Sequence, residues 1–318
     1  MKYFIAGGAG FIGSTMLHTL IQDNTENQVT VFDNFCSGKK SFIEEHLNNK
    51  RFKLIKGDLL DLSMLKESIK DHDFVFHFAA NPDIAKSMIE TDLDLRLGII
   101  ATYNLLEAMR VNHIKNIAYP SGSGIYGDVG LIETPEDFGP LMPSSMYGAS
   151  KLGAEGLISA FCHMFNMQSW IFRFANVVGK NQTHGVGFDF IRKLRENPGR
   201  LTILGDGKQS KSYIHVSDVI DAMLFVIKNS SDVVNIYNVA TNDYITVNEI
   251  ANIVISELGL PEVKFEYTGG NKGWKGDVPV VRFNLGKIQS LGWKSKYNSR
   301  EAVQKSIREM LDLELKAG

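Results

Sequence analysis

Tyr147 and Lys151 stand four residues apart in the run Tyr147-Gly-Ala-Ser-Lys151, at the head of a helical pattern that reaches about Phe165. That spacing puts both side chains on one helical face. A free tyrosine, with a pKa of ~10, is a poor base at neutral pH, but an adjacent ammonium and any second cation nearby both favour phenolate. The pair could then take the proton of a hydroxyl while hydride leaves the same carbon. Tyrosine and lysine meet at this spacing by chance on many helices, so the weight of the reading falls on their setting. They follow the strand Ile114 to Tyr119 and its end, Pro120-Ser-Gly-Ser-Gly124, where Ser121 and Ser123 supply hydroxyls.

A hydride acceptor must be held nearby, and the N-terminus supplies a seat for one. The apolar run Tyr3 to Ala6 reads as a buried parallel strand and passes into Gly7-Gly-Ala-Gly-Phe-Ile-Gly13, after which a helical pattern begins. Gly7 permits the tight turn, Gly10 lets the backbone approach a pyrophosphate, and Gly13 lets the helix pack on its strand. The helix start, with Phe11, Ile12 and Gly13, points N–H groups and a positive dipole end at the phosphates. Gln28 to Phe32 reads as a second strand ending in Asp33, twenty residues past Gly13, where a dinucleotide fold needs a carboxylate for the ribose 2′-hydroxyl. That carboxylate repels a 2′-phosphate. The expected cofactor is NAD rather than NADP.

Strands and helices then alternate. Asn34 to Lys40 is a polar loop at the adenosine end; Arg51 to Lys56 is a strand followed by Gly57, Asp58 and Leu59. Asp58 reads either as an acceptor for the adenine amino group or as a helix-start carboxylate. Phe74 to Phe78 is a strand leading to Ala79 and Ala80, whose small side chains leave space for a ribose and pyrophosphate. His77 within it reads as a satisfied core histidine. From Leu93 to Arg110 the spacing predicts a helix apolar on more than one face, which must bury more than one.

Six alternations to Phe174 make a Rossmann-type α/β fold, a doubly wound parallel sheet. Beyond Asn176 the rhythm breaks into short elements, including Gly205-Asp-Gly207 and a capping box of Thr246 with Glu249. The expected division is 1–178 plus 213–245 for the NAD-binding domain, and 179–212 plus 246–318 for a smaller mixed α/β lobe that takes the substrate.

Composition narrows the function classes. With 34 basic against 36 acidic residues and no basic block, nucleic acid is not an expected partner. Charges and glycines interrupt every apolar run short of the ~20 residues of a membrane span. The first strand begins at residue 2, leaving no room for a signal peptide, and Cys36 and Cys162 read as free thiols, which points to the cytoplasm. The eight histidines show no ligand spacing, so no metal is expected.

The ordered motifs AGGAGFIG, DNF, GDLLD, HFAA, TYNLLEAM, SGSGIYGD, YGASK, RFANVVG, GDGKQSKSYIHVSD and LGWK span nearly the whole chain. In them the chain resembles the extended short-chain dehydrogenase/reductase family, in particular its nucleotide-sugar members such as the UDP-glucose 4-epimerases. The resemblance implies that Tyr147 is the catalytic base, Lys151 its pKa-lowering partner and ribose ligand, and Asn176 a ligand of the sugar diphosphate. It implies a UDP-, GDP- or dTDP-linked sugar as substrate, and a homodimer built on a four-helix contact.

Departures from the family pattern matter too. Where the family has a catalytic Ser or Thr, four residues before Tyr126, this chain has Gly122; Ser123, ahead of Ser121, is the expected substitute. The Asp-Glu of the 4,6-dehydratases is replaced by Ser123-Gly124, which stands against dehydration. Gly98 replaces an Asn, Lys211 replaces an Arg, and Lys272, Lys275 and Arg282 are further candidates for the diphosphate. The expected reaction is oxidation at carbon 4 of the sugar by hydride transfer to tightly bound NAD, giving net 4-epimerisation or 4-dehydrogenation. A non-catalytic NAD-binding redox sensor is the alternative from another class, and a sensor has no need of a proton-transfer pair.

Overall fold

The computed structural model describes residues 1–81, 83–273 and 276–317, which form two compact units. The first comprises Met1–Ile125, Met146–Arg173 and Met223–Tyr237. Its frame is a seven-stranded parallel sheet in the order Val234–Val239, Gln168–Phe174, Asn116–Gly122, Phe74–His77, Lys2–Ala6, Gln28–Asp33, Phe52–Lys56. Lys2–Ala6 lies inside the sheet, with Tyr3 opposite Val29 on one side and Phe74 on the other. Both of its faces are covered, which is why Phe4, Ile5 and Ala6 are fully buried. Strand order reverses at this strand, and ligands of open α/β sheets bind in the crevice at the carboxyl ends there.

Helices close the faces. Phe4, Val75, Ile117 and Ile171 from the sheet pack with Leu105 and Met109 of the helix Ala101–Val111 and with Ile158 of the helix Met146–Phe165. The apolar spacing predicts one helix from Leu93 to Arg110, but Leu95–Ile100 is a π-helical turn that runs into Ala101–Val111. The cause is local. A Cβ on Gly98 would stand 2.6 Å from Ser150 Oγ, so glycine lets this turn approach the helix that carries Tyr147.

The second unit comprises Tyr126–Ser145, Phe174–Ala222 and Asn238–Gly318, so residues 126–145, 174–178, 213–222 and 238–245, expected in the NAD-binding domain, lie with it. Its strands pair in twos: Asn176–Val178 with Tyr213–His215, Arg200–Ile203 with Lys264–Tyr267, and Glu133–Thr134 with Arg282–Phe283 are parallel. Ser210–Lys211 and Ile245–Thr246 are antiparallel. Its core gathers Phe190 and Leu194 from Val186–Glu196, Ile250 and Val254 from Val247–Glu257, and Ile307 from Ser299–Ala317. The predicted capping box is present: Thr246 Oγ1 accepts from Glu249 N at 3.2 Å, and the Glu249 carboxylate accepts from Thr246 N at 2.8 Å. Among the described residues, no helix is long and apolar enough to cross a membrane.

Candidate active site

The glycine turn has the geometry its sequence requires. Gly7 has φ +79°, and a Cβ there would meet Ala79 N at 2.5 Å; one on Gly13 would meet Gly7 O at 2.3 Å. On Gly10 a Cβ would find only Gly7 O, at 3.3 Å, so its other side is open to a ligand. Gly10 heads the helix Phe11–Asp23, which has no side-chain cap and no acidic residue in its first turn. The N–H groups of Phe11, Ile12 and Gly13 therefore form an anion seat that no side chain occupies.

Asp33 ties this turn to the second strand. Its Oδ2 accepts from Ala9 N at 2.9 Å and its Oδ1 from Phe35 N at 2.8 Å. Burial pushes its pKa up, and the two N–H groups pull it back. Each carboxylate oxygen has a second lone pair, which leaves capacity for a ribose hydroxyl. Asn34 donates from Nδ2 to Asp58 Oδ2 at 3.0 Å. Of the two readings of Asp58, the helix-start role is overturned: Asp61 caps Leu62–Ser68, accepting from Met64 N at 3.0 Å. Asp58 Oδ1 instead accepts from Leu60 N at 2.9 Å. Leu59 is buried, with its carbonyl accepting from Asn104 Nδ2 at 2.8 Å. Ala79 lies against Gly7, and Ala79 and Ala80 are both half-buried. An uncapped helix start, a Cβ-free approach at Gly10 and a carboxylate at the neighbouring strand end together fit a dinucleotide.

Tyr147 and Lys151 share one face of Met146–Phe165, as their spacing requires. Lys151 is buried; its Nζ donates to Pro120 O at 2.8 Å and lies 4.7 Å from the ring centre of Tyr119 and 5.5 Å from that of Tyr147. Burial lowers its pKa to about 8, against the pull of Glu155 and Asp94. Burial, reinforced by the Asp94 charge, pushes Tyr147 up to about 12. Four residues beyond Lys151, Glu155 is buried too, and accepts from Arg173 Nη2 at 2.8 Å and Nε at 3.2 Å.

Around the pair, Ser121 ends a buried stretch of strand with its Oγ buried and without a hydrogen-bond partner, while Ser123 and Gly122 are half-buried. His77 is only half satisfied. Its Nε2 lies 2.9 Å from Thr102 Oγ1, which itself donates to Gly98 O at 2.5 Å, so Nε2 carries the hydrogen and Nδ1 is a bare, buried acceptor. Burial lowers its pKa to about 3, and the imidazole is neutral.

Sequence reasoning missed Asp94, a buried carboxylate held by Asn81 Nδ2 at 3.0 Å and Ser87 Oγ at 2.5 Å, whose charge acts on both Tyr147 and Lys151. In Asp92-Leu-Asp94 it looks like any acidic helix start. Glu155 left a readable sign, a carboxylate four residues after Lys151 on the same apolar helix, matched by Arg173 within an apolar strand.

The expected diphosphate ligands belong to the second unit. Asn176 is exposed, with Nδ2 3.5 Å from Ser212 O. Lys211 Nζ pairs with Asp277 Oδ1 at 2.7 Å. The Arg282 guanidinium donates to Ser210 O at 3.0 Å and stacks 3.7 Å from the ring centre of Tyr244. Lys272 pairs with Asp128 at 3.1 Å, and Lys275 lies outside the described residues.

A family model described as the NAD dependent epimerase/dehydratase family matches residues 3–240. The putative UDP-glucose 4-epimerase of Methanocaldococcus jannaschii is 30% identical over 313 residues, covering 96% of this chain and 97% of that protein. The dTDP-D-glucose 4,6-dehydratase of Homo sapiens is 27% identical over 315 residues, covering 96% of this chain and 89% of that one. Among solved structures, a UDP-galactose 4-epimerase is similar with a TM-score of 0.87 at 36% identity, over 99% of this chain and 100% of the other.

Proposed function

This chain belongs to the NAD-dependent epimerase/dehydratase family and is an enzyme that uses NAD, and within that family we propose that it is a nucleotide-sugar 4-epimerase acting through oxidation at carbon 4. The observation that carries the reading is the buried Lys151 ammonium, fixed on Pro120 O at 2.8 Å and set against the Tyr147 ring. A buried charge so placed is costly to the fold, and proton transfer at Tyr147 gives it a use.

Bound NAD supplies the hydride acceptor and, oxidised, a ring cation. Lys151 stabilises Tyr147 as the phenolate, which takes the proton of the carbon 4 hydroxyl and becomes the neutral phenol as hydride leaves that carbon. Ser121 or Ser123 holds the same substrate oxygen in place of the hydroxyl missing at Gly122. Tyr147 gives its proton back when hydride returns to the opposite face of the 4-keto sugar. Asn176, Lys211 and Arg282 hold the diphosphate, which must draw Lys211 away from Asp277. The Ser123-Gly124 pair offers no acid and base for eliminating water, which supports epimerisation over dehydration.

Incubation with UDP-, GDP- and dTDP-linked hexoses, with products resolved by NMR, tests the proposal. It expects one nucleotide sugar to convert to its carbon 4 epimer, with no reduced cofactor accumulating beyond the enzyme's own. A free 4-keto sugar formed with equal reduced cofactor would make it a dehydrogenase, and a 4-keto-6-deoxy product a dehydratase. Either would overturn the reading.

A further inference from the structure

His18, Glu45 and His46 meet on the first unit, and the reaction proposed above uses none of the three. His18 lies on the helix Phe11–Asp23, and Glu45 and His46 on the 3-10 turn Glu44–His46. Glu45 Oε1 stands 2.9 Å from His18 Nδ1 and 3.6 Å from His46 Nε2, and the ligand atoms of the three residues all lie within 4.8 Å of one another. A tetrahedral ion bound at ~2.0–2.1 Å needs ligand atoms roughly 3.3 Å apart. The separations of 2.9 and 3.6 Å straddle that value.

The second observation is the state of His46. It is 6% exposed, and its Nε2 is buried with no hydrogen-bond partner, since 3.6 Å to a carboxylate oxygen is too long for one. That nitrogen faces Glu45 and carries a desolvation penalty with nothing to offset it. The position of the ring is not accidental. Fully buried Ile43 lies three residues earlier, so Ile43 and His46 together anchor the segment inward, and the His46 ring lies 5.5 Å from that of His18 and 6.2 Å from that of Phe52.

We propose that His18, Glu45 and His46 bind one divalent transition metal ion of the zinc class, which clamps the segment Lys40–His46 to the helix Phe11–Asp23. Two imidazole nitrogens and one carboxylate suit zinc, and calcium or magnesium would require oxygen ligands throughout. His18 and Glu45 are partly open to solvent, so water completes the coordination. The role is structural. The other end of the clamped segment is already fixed, by Lys39 N donating to Ala9 O at 2.9 Å and by Gly38 packed on Ala9. An ion at the far end would make the segment after Asp33 a closed brace beside the phosphate turn.

The test uses the tag-free full-length protein, stripped with a chelator and titrated with zinc in competition with a chromophoric chelator, then with cobalt to read its visible absorption band. One equivalent of zinc should bind, and His18→Ala and Glu45→Ala should each weaken it about tenfold or more, since each removes one of the three protein ligands. Both side chains are partly exposed, so the variants should fold, and an unchanged circular dichroism spectrum checks this. At one zinc concentration, zinc should raise the thermal midpoint of the parent protein by more than those of the variants. Equal zinc binding by the parent and both variants, or no stoichiometric binding by the parent, would overturn the proposal.

Discussion

Lys151 Nζ donates to Pro120 O at 2.8 Å and lies 5.5 Å from the Tyr147 ring centre, so one buried ammonium joins a sheet strand's carboxyl end to the helix that carries the phenol. With a folded pKa of about 8 against an ordinary 10.5, this lysine penalises the fold fully below pH 8, and the penalty fades as pH rises to 10.5. Unfolding in denaturant should therefore show a contribution from Lys151 that raises stability across that window, while activity that needs the ammonium falls. Lys151→Met should flatten that part of the stability rise. It should also move the acid limb of activity to higher pH, because Tyr147 loses its cation. An unchanged stability slope in the variant would contradict this.

Asp94 acts on the same pair with the opposite charge. Its carboxylate raises both the Tyr147 and the Lys151 pKa, so Asp94→Asn should move the acid limb of kcat/KM to lower pH. Among the described residues, Asp94 acts on both members of the pair and Glu155 on Lys151, with Glu155 engaged by Arg173 and His77 neutral. If Asp94 only held Asn81 and Ser87 in place, the variant would lose activity at every pH with no shift of the limb. The pH profile separates the two.

How much of this was legible in the sequence follows physical range. The glycine turn and the strand-end Asp33 were readable because short backbone segments fix them, and the Tyr147 and Lys151 face because helical period fixes it. The capping box of Thr246 and Glu249 was readable for the same reason. What depends on distant packing was not. The π-turn at Leu95–Ile100 lies close against Ser150, more than fifty residues on, and the high Tyr147 pKa comes from burial that no spacing reports. Likewise His18 and Glu45, 27 residues apart, meet only when helix and turn pack.

Asp33 is expected to favour NAD over NADP. Asp33→Ala should weaken NAD by roughly ten- to a hundred-fold, the loss of a hydrogen bond to a charged acceptor worth ~1.5–3 kcal/mol, and narrow the preference over NADP. Titration by cofactor fluorescence reads both. A parent protein that bound NADP as well as NAD would refute the role given to this carboxylate.

Leu95, Ile100 and Tyr103 remain exposed along Leu95–Val111, as do Met146 and Met164 on the Tyr147 helix. These apolar surfaces are expected to pair with their copies in a homodimer. Sedimentation should give the dimer mass at micromolar concentration, and Ile100→Lys with Tyr103→Lys should give the monomer. The monomer mass for the parent protein would exclude the dimer.

The central claim is that Tyr147 takes the substrate proton. Tyr147→Phe keeps the ring and removes the base, so fold and NAD binding should survive. In a single turnover with the true nucleotide sugar, followed at the absorbance band of reduced nicotinamide, cofactor reduction should slow by the ~10² to 10⁴ typical of losing a positioned acid or base. Reduction as fast as in the parent protein would contradict the account, whichever net reaction the enzyme performs.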